Sequence, residues 1–428
     1  MKIGIDASRA FQKNKTGIEE YSYQVIKHLR DELKNESSFT KTSEGKQVIL
    51  YCNPAVNNHP DFELPKNWKV KFLRAPIFWT QVRLSLEMLF HPVDVLFVPA
   101  HTAPLIHPAR NASRFQKILI WLSTQLCLLS KEAIKTHSDA GGPKNTIVAI
   151  HGLEYEFCPK AYSFWQRFYM RFVIKNSCRW AKRIIAVSES TKKDLVKLYR
   201  VPEKKIEVIY EGISSKARQV GQSPAFSFLE QSSRNSSKPD FSKYFLFVGR
   251  LEERKNICGM IEAFEILKDK YNLPHKLVLA GKFGYGENHI KYKIANSKYK
   301  EDIVLAGYVS DREKWELLKN ADIFLFPTFY EGFGLPILEA QSVGTPVVTS
   351  NISSMPEVAR LRRGSDGQAE YSAVLVDPRN IKEIAEAVYK LISDEEHRNG
   401  IINKGLENVK RFSWEKCAGE IAEVIGNL

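Results

Sequence analysis

Two carboxylates, Glu331 and Glu339, bracket a glycine turn in the run Phe329-Tyr-Glu-Gly-Phe-Gly-Leu-Pro-Ile-Leu-Glu339-Ala. Gly332 and Gly334 let a ligand approach the backbone. The N–H groups that open the following helix form a ready anion site. Phosphate alone would not call for carboxylates beside it; the hydroxyls of a sugar attached to phosphate would. A second cluster, Val248-Gly-Arg250-Leu-Glu-Glu-Arg-Lys255-Asn-Ile, sets two cations five residues apart. Arg250 offers a planar fork for pairs of oxygens and Lys255 a point charge on a flexible stem, a combination suited to a diphosphate.

The elements that must position these groups are legible around them. Asp322–Pro327 reads as a strand, the run after Gly334 as a helix, and Thr345–Thr349 as the next strand. Pro336 suits the first helical turn, where its missing N–H costs nothing. Gly344 suits the stop, and Pro346 forbids continuation. The strand Tyr244–Gly249 precedes the cations, and a helix starts near Asn256. Two histidines also follow strands: His151 closes Thr146–Ile150, and His101 follows Val93–Val98. Each is a candidate for a ligand contact, with a structural role as the alternative.

The Glu331–Glu339 unit resembles the donor-site signature of retaining nucleotide-sugar glycosyltransferases of the GT-B fold, the family 4 type. That resemblance implies an α/β fold of two Rossmann-like domains whose parallel sheets face a central cleft. It implies that Glu331 contacts the donor sugar or its phosphates, with Gly332, Phe333, Gly334 and Leu335 around it, and that Glu339 holds the ribose. Arg250 and Lys255 match the family's diphosphate-binding pair. His151 matches a histidine near the donor sugar and acceptor, although Gly152 follows it where Asp is frequent. The loop Asn14-Lys-Thr-Gly17 resembles one that approaches donor or acceptor, with Gly17 alone where many relatives carry two glycines. The loop Gly281-Lys-Phe-Gly-Tyr-Gly286 is expected near the base or ribose. Glycosyltransferases of the other major fold hold a divalent cation with Asp-x-Asp, and no two Asp residues here lie two apart. The expectation is therefore no metal and no cofactor, with Arg250, Lys255 and the helix N-terminus neutralising the leaving diphosphate. The donor is expected to be GDP-mannose or a UDP-hexose, leaning to mannose on Thr349-Ser-Asn-Ile-Ser-Ser-Met-Pro-Glu-Val. The acceptor is expected to be a saccharide or lipid-linked saccharide. A sugar-nucleotide-binding subunit without activity, an epimerase and a phosphorylase on the same fold are the alternatives.

Strands and helices alternate through both halves of the 428 residues, as parallel sheets covered on both faces require. The expected division is an N-terminal acceptor domain over 1–213, a Ser/Gln/Lys/Pro-rich linker over 214–242, a donor domain over 243–411, and a final helix over 412–428 returning to the N-terminal domain. About 109–145 is an insertion. Within it Arg114–Lys131 is apolar with basic flanks, fit to lie in a membrane interface, cap an acceptor groove or pack on its own domain.

The six cysteines form no CxxC pair, against a disulfide framework or zinc site and in keeping with a reducing compartment. No run of 18 apolar residues occurs, and the first residues read as a strand, so a cytoplasmic protein is expected, with a peripheral place on the inner face of the plasma membrane as the alternative. Net charge is +14, and much of it is local: 13 Lys/Arg against three acids lie between Lys160 and Lys205. Arg167, Arg171, Lys175, Arg179 and Arg183 recur every four residues, interleaved with Phe164, Trp165, Phe168, Tyr169 and Phe172. Such a helix either docks on an anionic membrane surface or shows water its charges and buries its aromatics. No nucleic-acid motif accompanies the charge, so no nucleic-acid partner is expected.

Overall fold

A computed structural model describes residues 1–13, 15–33, 47–54, 59–75, 79–104, 145–213, 243–363 and 369–428. Asn14, the 214–242 linker and the insertion, apart from Asn145, lie outside the described residues. The chain divides into two compact units.

The first unit comprises Met1–Leu153, Phe164–Gly212 and Trp414–Leu428. Its strands are β1 (Lys2–Asp6), β2 (Gln47–Cys52), β3 (Trp68–Phe72), β4 (Val95–Val98), β5 (Thr146–Ile150), β6 (Arg183–Ala186) and β7 (Ile206–Val208). They form one parallel sheet in the order β3-β2-β1-β4-β5-β6-β7. Every residue of β4 and β5 is buried, which suits their nearly unbroken apolar sequences to the middle of a sheet covered on both faces.

Helix α1 (Gly17–Glu32) begins with a capping box of Thr16 and Glu19 and buries Tyr21, Val25, Ile26 and Leu29. It packs against the C-terminal helix, Trp414–Gly426, which buries Trp414, Cys417 and Ile421. A π-helical turn, Trp79–Leu84, runs into α2 (Ser85–Phe90), a helix without a clear periodic signal in the sequence. It is tied down by Trp79, whose Nε1–H donates to the Leu73 carbonyl at 2.7 Å.

The short helix α3 (Glu154–Phe157) departs from the expected boundary at 213, because Glu154–Ser163 clusters with the second unit. The Phe157 ring stacks on Tyr330 at 4.3 Å and 13°, which fixes it there. Helix α4 (Phe164–Trp180) returns to the first unit, and α5 (Glu189–Tyr199) follows β6. Ser188 caps α5 by accepting from the Thr191 N–H at 3.0 Å.

In the second unit β8 (Tyr244–Val248), β9 (Lys276–Ala280), β10 (Ile303–Gly307), β11 (Ile323–Phe326) and β12 (Val347–Ser350) pair in parallel in the order β10-β9-β8-β11-β12. An antiparallel ribbon, β13 (Arg360–Arg363) with β14 (Ala369–Tyr371), precedes β15 (Val374–Val376), which joins β12. The covering helices are α6 (Ile257–Tyr271), α7 (Glu287–Ala295), α8 (Asp311–Asn320), α9 (Leu335–Ser342), α10 (Met355–Val358), α11 (Ile381–Ser393) and α12 (Glu395–Asn408). The loops after β8 and β9 touch: Gly281 has φ +146°, and a Cβ there would lie 1.8 Å from the Gly249 carbonyl oxygen. Only glycine fits.

Both sheets build outward from their first strand in the same sense. The direction of winding reverses between β1 and β4, and again between β8 and β11. At such a switch point the loops leaving the strand carboxyl ends diverge, and ligands of doubly wound sheets bind there. Among the described residues no helix is long and apolar enough to cross a membrane.

Candidate active site

The loops after β8 and β11 flank the switch point of the second sheet, and they carry the charges the sequence singles out. After β8 a 3-10 turn, Glu253–Lys255, ends at Asn256 in the left-handed region, φ +60°. The Asn256 side chain donates to the carbonyls of Pro327 (3.0 Å) and Pro378 (2.7 Å). The Phe329 N–H donates to the Arg254 carbonyl at 2.9 Å. This sews the turn to the segment after β11.

Glu331 then meets two cations. Arg254 Nη1 donates to Glu331 Oε1 at 2.9 Å and to the Tyr330 carbonyl at 2.6 Å, while its Nε and Nη2 hold Glu252 Oε1 at 3.1 and 2.8 Å. The Lys255 ammonium donates to the same Glu331 oxygen and stands 5.1 Å over the Phe326 ring. All three side chains are nearly buried. Burial opposes the Glu331 charge, but Arg254 and then Lys255 outweigh it and lower its pKa. Burial likewise opposes the Arg254 charge, and Glu331, Glu154 and Glu252 override it and raise its pKa. Glu154, from α3, has its pKa raised by burial in spite of Arg254. Arg254 thus spans the Glu252 and Glu331 carboxylates, and Lys255 shares the second, in a low-dielectric setting where each contact is strong.

The backbone of Glu331 is fixed from a third side. Its carbonyl accepts from Ser353 Oγ (2.7 Å) and Ser354 Oγ (2.9 Å), and its N–H donates to Ser353 Oγ at 3.2 Å. Ser354 Oγ also reaches the Phe333 carbonyl at 2.5 Å. Gly334 precedes α9 at φ +124°, and Pro336 lies in its first turn. The Phe333 ring is a packing group, buried edge-on against Phe412 at 5.8 Å. Glu339 lies further along α9 and accepts from Lys314 Nζ at 2.6 Å. The Arg250 side chain is exposed and runs beside Gly284; among the described residues it has no ion-pair partner. The structure thus brings Lys255 to Glu331 and leaves Arg250 in solvent. It adds residues that spacing did not single out: Arg254, Glu252, Ser353, Ser354, Lys314 and Glu154. Their signal was present only as polar residues within or beside the motifs, since their roles depend on contacts far apart in sequence.

The first unit's switch region carries histidines. His151 is buried after β5, and both ring nitrogens are engaged: Nε2–H donates to the Pro99 carbonyl at 2.8 Å, and Nδ1 faces Glu211 Oε1 at 3.2 Å. The Tyr21 ring stands edge-on at 4.4 Å. The His151 backbone N–H donates to His101 Nδ1 at 3.3 Å. That bond places the His101 proton on Nε2. Burial, with His151 and Arg9 adding, pushes the His101 pKa down to about 3, so the ring is neutral. A Cβ at Gly17, the first residue of α1, would meet nothing within 4 Å. Among the described residues no group of three or more His, Cys, Asp or Glu could hold a metal ion.

Two doubly wound units, the second with a carboxylate clasped by cations at its switch point, have the architecture that the GT-B resemblance implies. The family described as glycosyl transferases group 1 matches residues 229–408, and glycosyltransferase family 4 matches residues 129–216. The O-antigen chain mannosyltransferase B of Escherichia coli is 30% identical over 421 residues, 97% of each chain. The O-antigen chain mannosyltransferase RfbU of Salmonella typhimurium is 26% identical over 298 residues, covering 68% of this chain and 75% of its own. The fold matches that of Anabaena HepE, solved with UDP and glucose, at a TM-score of 0.64 and 16% identity over 100% of this chain and 99% of that one. The chain belongs to the family 4 type of GT-B glycosyltransferases, and it is a glycosyltransferase.

Proposed function

We propose that this enzyme moves a hexose, mannose from GDP-mannose, to a saccharide or lipid-linked saccharide acceptor in surface polysaccharide synthesis, with retention at the anomeric carbon. The single observation that carries the proposed place of the donor is the Glu331 carboxylate shared by Arg254 and Lys255 at the switch point. The mannosyltransferase relatives support the sugar and the acceptor class.

In the reaction the bond from the anomeric carbon to the diphosphate breaks as the bond to the acceptor oxygen forms on the same face. The acceptor proton passes to a phosphate oxygen, and a nucleoside diphosphate leaves. The difficulty is the charge that develops on the diphosphate. Lys255 meets it by exchanging Glu331 for phosphate oxygens, and the exposed Arg250 adds a second charge, so no metal is required. Arg254 is a positioning residue: its fork is spent on Glu252, Glu331 and the Tyr330 carbonyl, and it holds the Glu331 carboxylate toward the sugar. Glu339, steadied by Lys314, takes the ribose hydroxyls. His151, expected from the resemblance to contact the sugar or transition state, has its ring nitrogens on Pro99 and Glu211, and within the first unit His101 presents a neutral Nε2–H suited to an acceptor hydroxyl.

Incubation with GDP-mannose and a mannose-terminated oligosaccharide in EDTA, followed by NMR of the product, tests the whole reading. An α-mannoside formed at an undiminished rate supports it. A β-linked product overturns retention, and loss of activity in EDTA overturns the metal-free step. Free epimerised sugar or sugar phosphate would replace transfer with one of the other chemistries of the fold.

A further inference from the structure

Helix α4 is not used by the transfer site. Its seventeen residues, Phe164–Trp180, hold four cations, Arg167, Arg171, Lys175 and Arg179, and no acid. The carboxyl-terminal half is anchored: Val173, Ile174, Ser177 and Cys178 are buried, and Ser177 Oγ accepts from the Ala103 N–H at 2.9 Å. The amino-terminal half turns its aromatics outward. Phe164 is 73% exposed, Trp165 74% and Phe168 58%, and Tyr169 and Phe172 are also exposed. Of the two arrangements open from the sequence, the one that buries the aromatics is not the one adopted. Phe164 meets Trp165 edge-on at 5.4 Å, and Trp165 meets Phe168 edge-on at 6.4 Å, so the cluster is ordered against itself.

A contiguous aromatic patch facing water marks an interaction surface. We propose that α4 docks the first unit on an anionic lipid bilayer, lying in the plane of the interface. Phe164, Trp165 and Phe168 enter the boundary between headgroups and acyl chains. Arg171, Lys175 and Arg179, all exposed, meet anionic headgroups. Charge complementarity selects this occupant. A surface of one sign, without an acid to set a register, matches a fluid sheet of like negative charges better than a protein of fixed pattern. Aromatic rings are also the side chains that prefer the bilayer–water boundary. Single-stranded nucleic acid would use parallel ring faces as stacking platforms, and here neighbouring rings lie at 78° and 85° to each other. The docking surface does not rest on the identity of donor or acceptor.

Flotation of the full-length protein with vesicles tests this. Phosphatidylcholine vesicles containing phosphatidylglycerol should carry the protein up the gradient, and pure phosphatidylcholine vesicles should not. Added salt should weaken the binding. The triple variant Phe164→Ser/Trp165→Ser/Phe168→Ser should lose at least tenfold in vesicle affinity. Arg171→Gln, Lys175→Gln and Arg179→Gln should each lose about fivefold. The altered side chains are exposed, and an unchanged melting temperature and circular dichroism spectrum would show that each variant is folded. Wild-type protein that stays down with anionic vesicles, or a triple-serine variant that floats as well as wild type, would overturn the proposal. So would tighter binding to a poly(dT) oligonucleotide than to the vesicles. Failure of the transfer reading would appear as lost donor binding with flotation intact.

Discussion

The two sheets share a strand order and differ in what stands at their switch points. After β8 and β11 the protein places fixed charge: Arg254 and Lys255 against Glu331 and Glu252. After β4 and β5 it places histidines, one neutral and one with both nitrogens occupied. The same topology thus supplies an electrostatic clasp in one unit and a cluster of hydrogen-bonding histidines in the other. A diphosphate needs the first. Hydroxyl groups, which must be oriented without being ionised, need the second. Topology decides where a ligand can sit, and the loops decide which ligand it is.

The sharpest way to break this comparison is to discharge the clasp. Lys255→Met should lower kcat/KM about a hundredfold or more, the cost of removing one donor to a developing oxyanion. Glu331→Gln should do the same and also destabilise the fold by about 3 kcal/mol, because two nearly buried cations lose their shared partner. Thermal melts and steady-state kinetics on the same preparations check both. If Lys255→Met leaves kinetics unchanged, the clasp is structural.

A smaller effect separates the two cations. Arg254→Lys keeps the charge and loses the fork that spans Glu252, Glu331 and Tyr330. We expect kcat to fall about tenfold with donor binding nearly retained, since a positioning residue acts through Glu331. A loss confined to donor affinity would instead make Arg254 a direct phosphate ligand.

Acid should weaken both units through histidine. His275 is buried and stacked on Phe245 at 4.6 Å, and burial, with Lys243 and Lys268, lowers its pKa to about 4. His101 is lowered further. Unfolding frees both rings to titrate near their ordinary value of 6.5. Between about pH 6.5 and 4 the unfolded chain therefore binds more protons, so stability rises with pH across this window, is complete above it and is lost below it. For His275 the slope reaches about 1.4 kcal/mol per pH unit. His275→Phe, which keeps the stacked ring, should flatten the pH dependence of the denaturation midpoint in that window. An unchanged slope would mean that the buried ring accepts a proton.

The smallest effect expected is at Tyr21. Its hydroxyl is buried and has no hydrogen-bond partner among the described residues. Tyr21→Phe removes no bond and should be neutral or slightly stabilising, within about 1 kcal/mol. A larger loss, measured by denaturant titration, would mean that the hydroxyl helps hold His151.

Much of the fold was legible because its strands are apolar runs bounded by turn residues, and the alternation with helices implied parallel sheets. The motif Phe329–Ala340 was legible because glycine, proline and carboxylate each have one physical reason to stand where they do. Arg254 was not, because spacing alone favours the first cation after a strand. What selects Arg254 is a 3-10 turn ended by Asn256 and a carbonyl 76 residues away. The grouping of Glu154–Ser163 with the second unit was not legible for a similar reason. The stacking of Phe157 on Tyr330 and the charge of Arg254 beside Glu154, both distant in sequence, group it with the second unit. The aromatics of α4 show the limit of periodicity, which gives the face a residue shares but not whether that face is covered.

Calorimetric titration of GDP-mannose into wild-type protein and Lys255→Ala, in EDTA, tests the central claim most directly. If the Glu331–Lys255 clasp is the donor-diphosphate site, wild type binds with micromolar affinity and Lys255→Ala loses most of it. Equal affinity in the two proteins, or binding that appears only when a divalent metal is added, would contradict it.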